Sequence, residues 1–323
     1  MGSSRFLLTI AVVVVGIWLL LDRYEIRGLQ ELKLVRRNRV EDRGLPPAAR
    51  TQGTIRIASF NLEEFGPTKA DKPDVMEIIA DTIRRFDVVA LQEIRTERPE
   101  VLQKLLTQIN ATGRHYALLA SPPVGRTASK EQFAFVFDQA TIEVDRSAVY
   151  TVDDPDDLLH WPPFVGWFRV RGPASDQAFT FTLANLHLDP DEVAEEIRVL
   201  DNVFFSIRDD GRGEDDLILI GDFNTDDRQF GELGQVSGMM AAISQTPTNT
   251  RQTQQYANLV FQLPATSEYM GQSGVFDFLR EYNLTLEQAL QVSKHLPVWA
   301  EFSMHEGGTL PVIAASDAPA AVR

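Results

Sequence analysis

The stretch Leu217-Ile218-Leu219-Ile220-Gly221-Asp222-Phe223-Asn224 carries four bulky aliphatic residues into a glycine, a carboxylate and an amide. An apolar run of this length that stops abruptly reads as a buried strand leaving the sheet into a loop. Residues two apart at a strand end project to one side, so Asp222 and Asn224 can converge on a single ligand. Asp and Asn also simply begin turns, and this segment taken alone leaves both readings open. The pattern recurs at three other strand ends: Ser59-Phe60-Asn61, Leu91-Gln92-Glu93-Ile94-Arg95 and Ala184-Asn185-Leu186-His187. Four polar tips, each closing an apolar run, point to one site at the rim of a sheet.

Composition narrows the chemistry. The chain has 323 residues, 44% hydrophobic and 24% charged, and no cysteine. That length can bury a full core without staples. Disulfides, thiolate metal sites and cysteine nucleophiles are excluded. A metal must be held by oxygen and imidazole, which suits Mg²⁺, Mn²⁺ or Ca²⁺ better than softer ions. The formal net charge of −15 argues against a surface made to coat nucleic acid. It leaves room for a nuclease, which needs only local positive potential.

Phe6 to Leu21 is an uncharged apolar run of 16 residues between Arg5 and Asp22. It falls slightly short of the roughly 20 that span a bilayer comfortably. A cleaved signal peptide is the rival, but Leu-Leu-Leu-Asp-Arg stands where a small-x-small cleavage site belongs. An uncleaved transmembrane anchor over residues 1–24 is therefore the expectation, and with it a membrane location. A charged stem follows over 25–52, a globular body over 53–304, and a tail over 305–323 whose Gly, Ala and Pro content reads as disordered. The arginines of the stem and the length of the body pull the orientation in opposite directions, and the side of the membrane stays open.

Within the body, Thr54 to Phe60, Val88 to Leu91, Gln132 to Phe137, Phe179 to Leu186 and Leu217 to Ile220 read as strands. Pro73 to Phe86, Arg98 to Ile109 and Glu192 to Ile207 read as amphipathic helices. Asp153 to Trp167, with Asp-Asp-Pro-Asp-Asp and two tryptophans, reads as an acidic loop bordering the site. Trp161 and Trp167 are assigned to the core in preference to base stacking. Strands outnumber helices and many neighbours look hairpin-like. The expected fold is α+β, a four-layer α/β/β/α sandwich of two mixed sheets flanked by helices.

The body resembles the endonuclease/exonuclease/phosphatase superfamily, and within it the deoxyribonuclease I branch. The matching text is Arg-Ile-Ala-Ser-Phe-Asn, Phe-Gly-Pro-Thr-Lys, Gln-Glu-Ile-Arg, Gly-Arg-Thr-Ala-Ser-Lys-Glu-Gln-Phe, Asn-Leu-His-Leu, Gly-Asp-Phe-Asn and Ser-Lys-His-Leu-Pro-Val, in the family's order across Gly53 to Phe302. The resemblance implies divalent-metal hydrolysis of a phosphodiester at one end of the two sheets. It implies that Glu93 binds the metal and Asn61 helps to hold metal or phosphate. Arg95, Asn224 and Asn185 are expected at the phosphate, and Asp222 with Asn224 to orient the attacking water. Glu131 matches the partner of the catalytic histidine His187, and His295 matches the second histidine. Two histidines on opposite sides of a phosphate suit in-line displacement, one activating water and the other serving the leaving oxygen. The implied cofactor is Mg²⁺, or Mn²⁺ or Ca²⁺; the implied partner is nucleic acid, met by a monomeric catalytic domain.

Two family positions differ. The final motif, Ser-Asp-His in the family, is Ser293-Lys294-His295 here, and the acid that orients the second histidine is replaced by Ala257. His295 is therefore expected to lack its carboxylate, a loss that costs on the order of 10⁴ in rate in triad-like sites. Lys294 is expected to approach Glu93 and Asp222 and take over part of the metal's role, or to contact phosphate directly. Ser129 stands where a tyrosine is often found beside the carboxylate, and a substrate contact is expected to be absent there. Three functions follow: a membrane-tethered metal-dependent endonuclease on DNA or RNA, a degenerate member that binds phosphate or nucleic acid without turnover, and a lipid or inositol phosphodiesterase suggested only by the anchor.

Overall fold

The structure is a computed structural model describing residues 52–127 and 130–308. The expected anchor, the stem to residue 51, Ser129 and the tail beyond Gly308 lie outside the described residues. Among those described, no helix is long and apolar enough to cross a membrane.

Twelve strands form two six-stranded sheets among the described residues. Those of the first are β1 (Thr54–Phe65), β2 (Val88–Ile94), β3 (Tyr116–Ala120), β4 (Gln132–Asp138), β11 (Tyr269–Val275) and β12 (Val298–Ser303), in the order β11-β12-β1-β2-β4-β3. The second contains β5 (Ile142–Thr151), β6 (Phe164–Val170), β7 (Thr180–His187), β8 (Leu217–Asp222), β9 (Met239–Ala241) and β10 (Ala257–Gln262), in the order β5-β6-β7-β8-β10-β9. Helices α1 (Pro67–Ala70), α2 (Pro73–Ile83), α3 (Pro99–Asn110), α6 (Phe278–Glu281) and α7 (Leu286–Val292) accompany the first sheet; α4 (Val193–Glu196) and α5 (Leu200–Arg208) accompany the second. The α+β architecture of two mixed sheets flanked by helices agrees with the expectation.

Side-chain alternation builds these layers. On β1, Ile55 and Ile57 join the core between the sheets, while Ala58, Phe60 and Leu62 join the core under the helices. The inter-sheet layer is rich in phenylalanine, with Phe135 against Phe164 and Phe168 at ring separations of 5.3 and 5.2 Å. Each buried phenylalanine contributes about 1.5–3 kcal/mol of transfer free energy, so this layer dominates cohesion between the sheets.

Each sheet has one parallel pair at its centre, β1 with β2 and β7 with β8. Parallel neighbours require a crossover, here α1–α2 and α4–α5, and the crossover leaves both carboxyl ends on the same edge. The antiparallel neighbours β4, β10 and β12 run the other way, so their amino ends arrive at that edge. Asn61, Glu93, His187 and Asp222 come from the former group; Glu131, Ala257 and His295 come from the start of the latter. Connectivity alone thus gathers the polar tips.

Two local expectations are corrected. The single helix foreseen over Glu192 to Ile207 is broken by a 3₁₀ turn at Ile197–Val199. Glu196, just before it, turns inward and accepts the backbone N–H groups of His160 at 2.5 Å and Asp189 at 2.7 Å. Residues 305–308, foreseen as the start of the tail, are ordered: Glu306–Gly308 forms a 3₁₀ turn, and His305 bridges to Ala178.

Candidate active site

Glu93 and Asp222 reach the rim from different sheets and meet across one amide. Asn61 Nδ2 donates to Glu93 Oε1 at 3.0 Å and to Asp222 Oδ2 at 2.9 Å. Its Oδ1 accepts Glu63 N at 2.8 Å, so both ends of the amide are engaged and Asn61 acts as a strut between the carboxylates. Glu93 Oε2 accepts Glu64 N at 3.0 Å. This geometry depends on irregular backbone. Glu63, Glu64, Glu93 and Asn224 all have φ between 47° and 57°, which accounts for four of the eight non-glycine residues with positive φ among the described residues. Register slips on both sides of β2 accompany them. Such bulges re-aim side chains, and strained conformations of this kind cluster at functional sites.

His187 is seated firmly. Its Nδ1 lies 2.9 Å from Glu131 Oε1, and both side chains are buried. Trp161 covers the imidazole in a parallel stack at 4.6 Å and 5°. Burial alone would lower its pKa; the charge and hydrogen bond of Glu131, with Asp222 and Glu93 behind, raise it to about 9. The register that pairs His187 with Asp222 requires glycine next door. A Cβ on Gly221 would stand 1.9 Å from Leu186 O, so no other residue lets β7 and β8 approach there.

His295 is seated differently. Its Nδ1 lies 3.0 Å from Asp222 Oδ2, close enough for an ion pair, but the atom finds no aligned hydrogen-bond acceptor. Its backbone is fixed through Ser293 Oγ, which accepts His295 N at 3.0 Å and donates to Asn61 O at 2.7 Å. Burial opposes protonation of His295, but Asp222 and Glu93 outweigh it and raise the pKa. Asp222 is fully buried, yet both histidines and the Asn224 N–H hold it well below the usual carboxylate range. Glu93 is likewise lowered: burial acts against ionisation, and His187, Asn61, His295 and Glu64 N together prevail.

The absence of a carboxylate for His295 is therefore corrected. Ala257 stands across from Asp222 in the β8–β10 register, and Asp222 itself supplies the charge. Lys294 also departs from expectation. Its Nζ pairs with Glu63 Oε1 at 2.5 Å and its backbone N–H with Glu63 Oε2 at 2.8 Å, with the side chain 70% exposed. The ammonium is anchored on the outer rim and not between Glu93 and Asp222. Asn185, foreseen at the phosphate, is fully buried and satisfied: it accepts Gln92 Nε2 at 2.7 Å and donates to Leu91 O and Ala134 O. It ties the two sheets together and has nothing left for substrate. Arg95 lies beside the site, 3.6 Å from Glu93 and 3.4 Å from Glu64. Asn224 donates to Leu188 O at 2.6 Å, which holds the loop after β8.

Two side chains have roles at the site that their reading in the sequence does not assign them. Trp161 was assigned to core packing; it is buried, but its ring is the platform for His187. Trp167 lies in β6, so the acidic loop ends before Phe164. Lys69, which sits inside the quoted Phe-Gly-Pro-Thr-Lys text, donates to Leu62 O, Glu63 O and Val292 O. Its burial lowers its pKa to about 8 against the pull of Glu63 and Glu93. An open cleft of about 940 Å³ runs along Asn224 and Tyr256, with Arg198 and Arg228 on its walls; it adjoins His295 through Tyr256, whose ring lies 5.6 Å from the imidazole.

Residues 58–260 match the sequence model of the Endonuclease/Exonuclease/phosphatase family, and the chain belongs to it. Deoxyribonuclease gamma of Rattus norvegicus is 28% identical over 267 residues, covering 76% of this chain and 83% of the relative. Deoxyribonuclease-1-like 1 of Sus scrofa is 30% identical over 261 residues, covering 77% and 81%. Among solved structures, the human Nocturnin catalytic domain with bound sulfate superposes with a TM-score of 0.53 at 13% identity, covering 80% of this chain and 97% of that one. Truncated TDP2 of Caenorhabditis elegans gives 0.52 at 12% identity, covering 77% and 98%, and these two likenesses bear on the fold alone.

Proposed function

We propose that this chain is a divalent-cation-dependent phosphodiesterase that cuts nucleic acid internally, tethered to a membrane by residues 6–21. The observation that carries the reading is the Asn61 strut, which brings Glu93 and Asp222 together while His187 and His295 each sit against a carboxylate. The preference for nucleic acid draws on the deoxyribonuclease names of the relatives. It draws also on Arg126, which pairs with Asp157 and Glu192 and so neutralises part of the acidic loop.

The donor set suits a hard cation. Glu93 is the one site carboxylate that opens to the rim, 9% exposed against 0% for Asp222. A single carboxylate completed by water and phosphate oxygens is the shell that Mg²⁺ prefers, and Mn²⁺ or Ca²⁺ accept it too. When bound, such a cation neutralises phosphate charge and lowers the pKa of nearby imidazoles. Between the histidines, His295 has the weaker hold on its proton because Asp222 is shared with Asn61 and Asn224. It serves as the base toward water. His187, kept cationic by Glu131, donates to the leaving oxygen through Nε2. Asn61 and Trp161 are positioning residues that act through Glu93 and His187.

A binding-only reading is favoured by one observation, the lack of an aligned acceptor at His295 Nδ1 beside Ala257. The two readings separate in one assay. Full-length protein is incubated with supercoiled plasmid, RNA and a chromogenic phosphodiester in Mg²⁺, Mn²⁺ or chelator. Nicking that needs the cation and disappears in His187→Ala is the expected result; folded protein that cuts nothing under any condition supports binding only.

A further inference from the structure

Three carboxylates meet at the opposite end of the sandwich. Asp216 immediately precedes β8, Glu268 precedes β11, and Glu306 lies in the turn after β12. Asp216 and Asp222 lie at opposite ends of β8, and six residue steps along the strand separate them by about 20 Å. One ligand oxygen from each of Asp216, Glu268 and Glu306 lies within 4.8 Å of the others. Asp216 and Glu268 are each 1% exposed. Asp216 Oδ1 and Glu268 Oε2 are both buried without a hydrogen-bond partner. The backbone aims the other groups: Glu268 Oε1 accepts Gly307 N at 2.5 Å, and Glu306 Oε2 accepts Thr180 N at 3.2 Å. Burial pushes the Asp216 carboxyl well above the carboxylate range, the negative charges of Glu268, Glu214 and Glu306 add to it, and the nearby Thr266 hydroxyl opposes them only in part.

A buried carboxylate with no partner is among the costliest groups a fold can hold, and a proton or a cation relieves the cost. We propose that Asp216, Glu268 and Glu306 form a structural site for a hard divalent cation, Ca²⁺ in preference to Mg²⁺. Ca²⁺ takes oxygen ligands at about 2.3–2.6 Å in irregular shells, so ligands on opposite sides stand about 4.6–5.2 Å apart. The 4.8 Å spread of this cluster fits inside that shell. Mg²⁺ demands a tighter and more regular octahedron at about 2.0–2.1 Å, which this spread fits less well. The ion would staple the last turn of the domain to the starts of β8 and β11. Backbone bonds already converge there, with Ser303 N on Glu268 O at 2.8 Å and Glu306 N on Gln177 O at 3.0 Å.

The test uses full-length protein carrying Glu93→Gln, so that binding at the histidine end does not contribute. Thermal unfolding is followed in chelator and in Ca²⁺, Mg²⁺ or Mn²⁺, with calorimetric titration of Ca²⁺ alongside. The expected result is one Ca²⁺ site and a Tm raised by roughly 5–10 °C at a hundredfold excess over Kd. Glu268→Gln removes both. Glu306→Gln, at a more exposed position, provides the same test if Glu268→Gln fails to fold. A Tm indifferent to all three cations overturns the proposal, as does a Ca²⁺ shift that survives Glu306→Gln and Glu268→Gln. A proton would then be the group that fills the cluster.

Discussion

The two histidines reach the rim from opposite sheets but rest on different foundations. His187 has a carboxylate of its own, an aligned hydrogen bond and an aromatic ring pressed on its face. His295 shares Asp222 with an amide and a backbone N–H, and its Nδ1 has distance without alignment. A dedicated partner fixes both tautomer and orientation, while a shared one supplies charge with less direction. Ala257 is the source of the difference, since the position across from Asp222 carries a methyl group and leaves Asp222 to serve the histidine as well as Asn61 and the Asn224 N–H.

The comparison breaks most visibly at its strong side. Glu131→Gln keeps the volume and removes the charge; nuclease turnover should fall by about 10²–10⁴-fold while the fold persists. A small effect on kcat would show that His187 does not need its partner. On the weak side, Ala257→Asp should raise turnover, by about tenfold, because Asp222 already provides part of what an orienting acid supplies. A fall in activity would mean that a second carboxylate beside Asp222 costs more than alignment gains. Lys294→Ala should change turnover by no more than about twofold, since an exposed ion pair on the rim contributes little. A larger change would put the ammonium on substrate.

The pH dependence of stability sharpens the same contrast. His187 is raised from an ordinary 6.5 to about 9 in the fold. Folding therefore favours the imidazolium, and the stability this contributes is complete below about pH 6.5 and lost as pH rises through about 9. Denaturant unfolding followed across that window should show a decline that Glu131→Gln flattens. An unchanged decline in the variant would place its origin elsewhere.

The parts of this molecule that were legible in the sequence are those with buried alternation or an abrupt polar ending. β2, β4, β7 and β8 stand close to where their apolar runs predicted, and the helices opened by Pro73 and Pro99 begin at those prolines. Edge strands were harder to see. β5 alternates weakly and exposes Asp145, Arg146 and Ser147, and β11 carries polar and glycine residues through its middle, because one side of each has no neighbour to bury against. The 3₁₀ break after Glu196 depends on backbone N–H groups from a distant loop, which a helical pattern cannot reveal.

By itself the sequence determined the two mixed sheets, the family and the residues at the rim, because strand periodicity and motif order are properties of neighbours along the chain. The tertiary structure alone decided what each rim residue touches. Asn185 and Asn61 are both amides near a strand end, yet one is spent between the sheets and the other spans two carboxylates. Lys294 could not be placed from its position beside His295, since Glu63, which holds it, is 231 residues away in the chain. The same holds for Trp161 on His187 and for the three carboxylates at the far end. Local sequence sets which groups arrive at an edge; only the packing of one sheet on the other sets which of them meet.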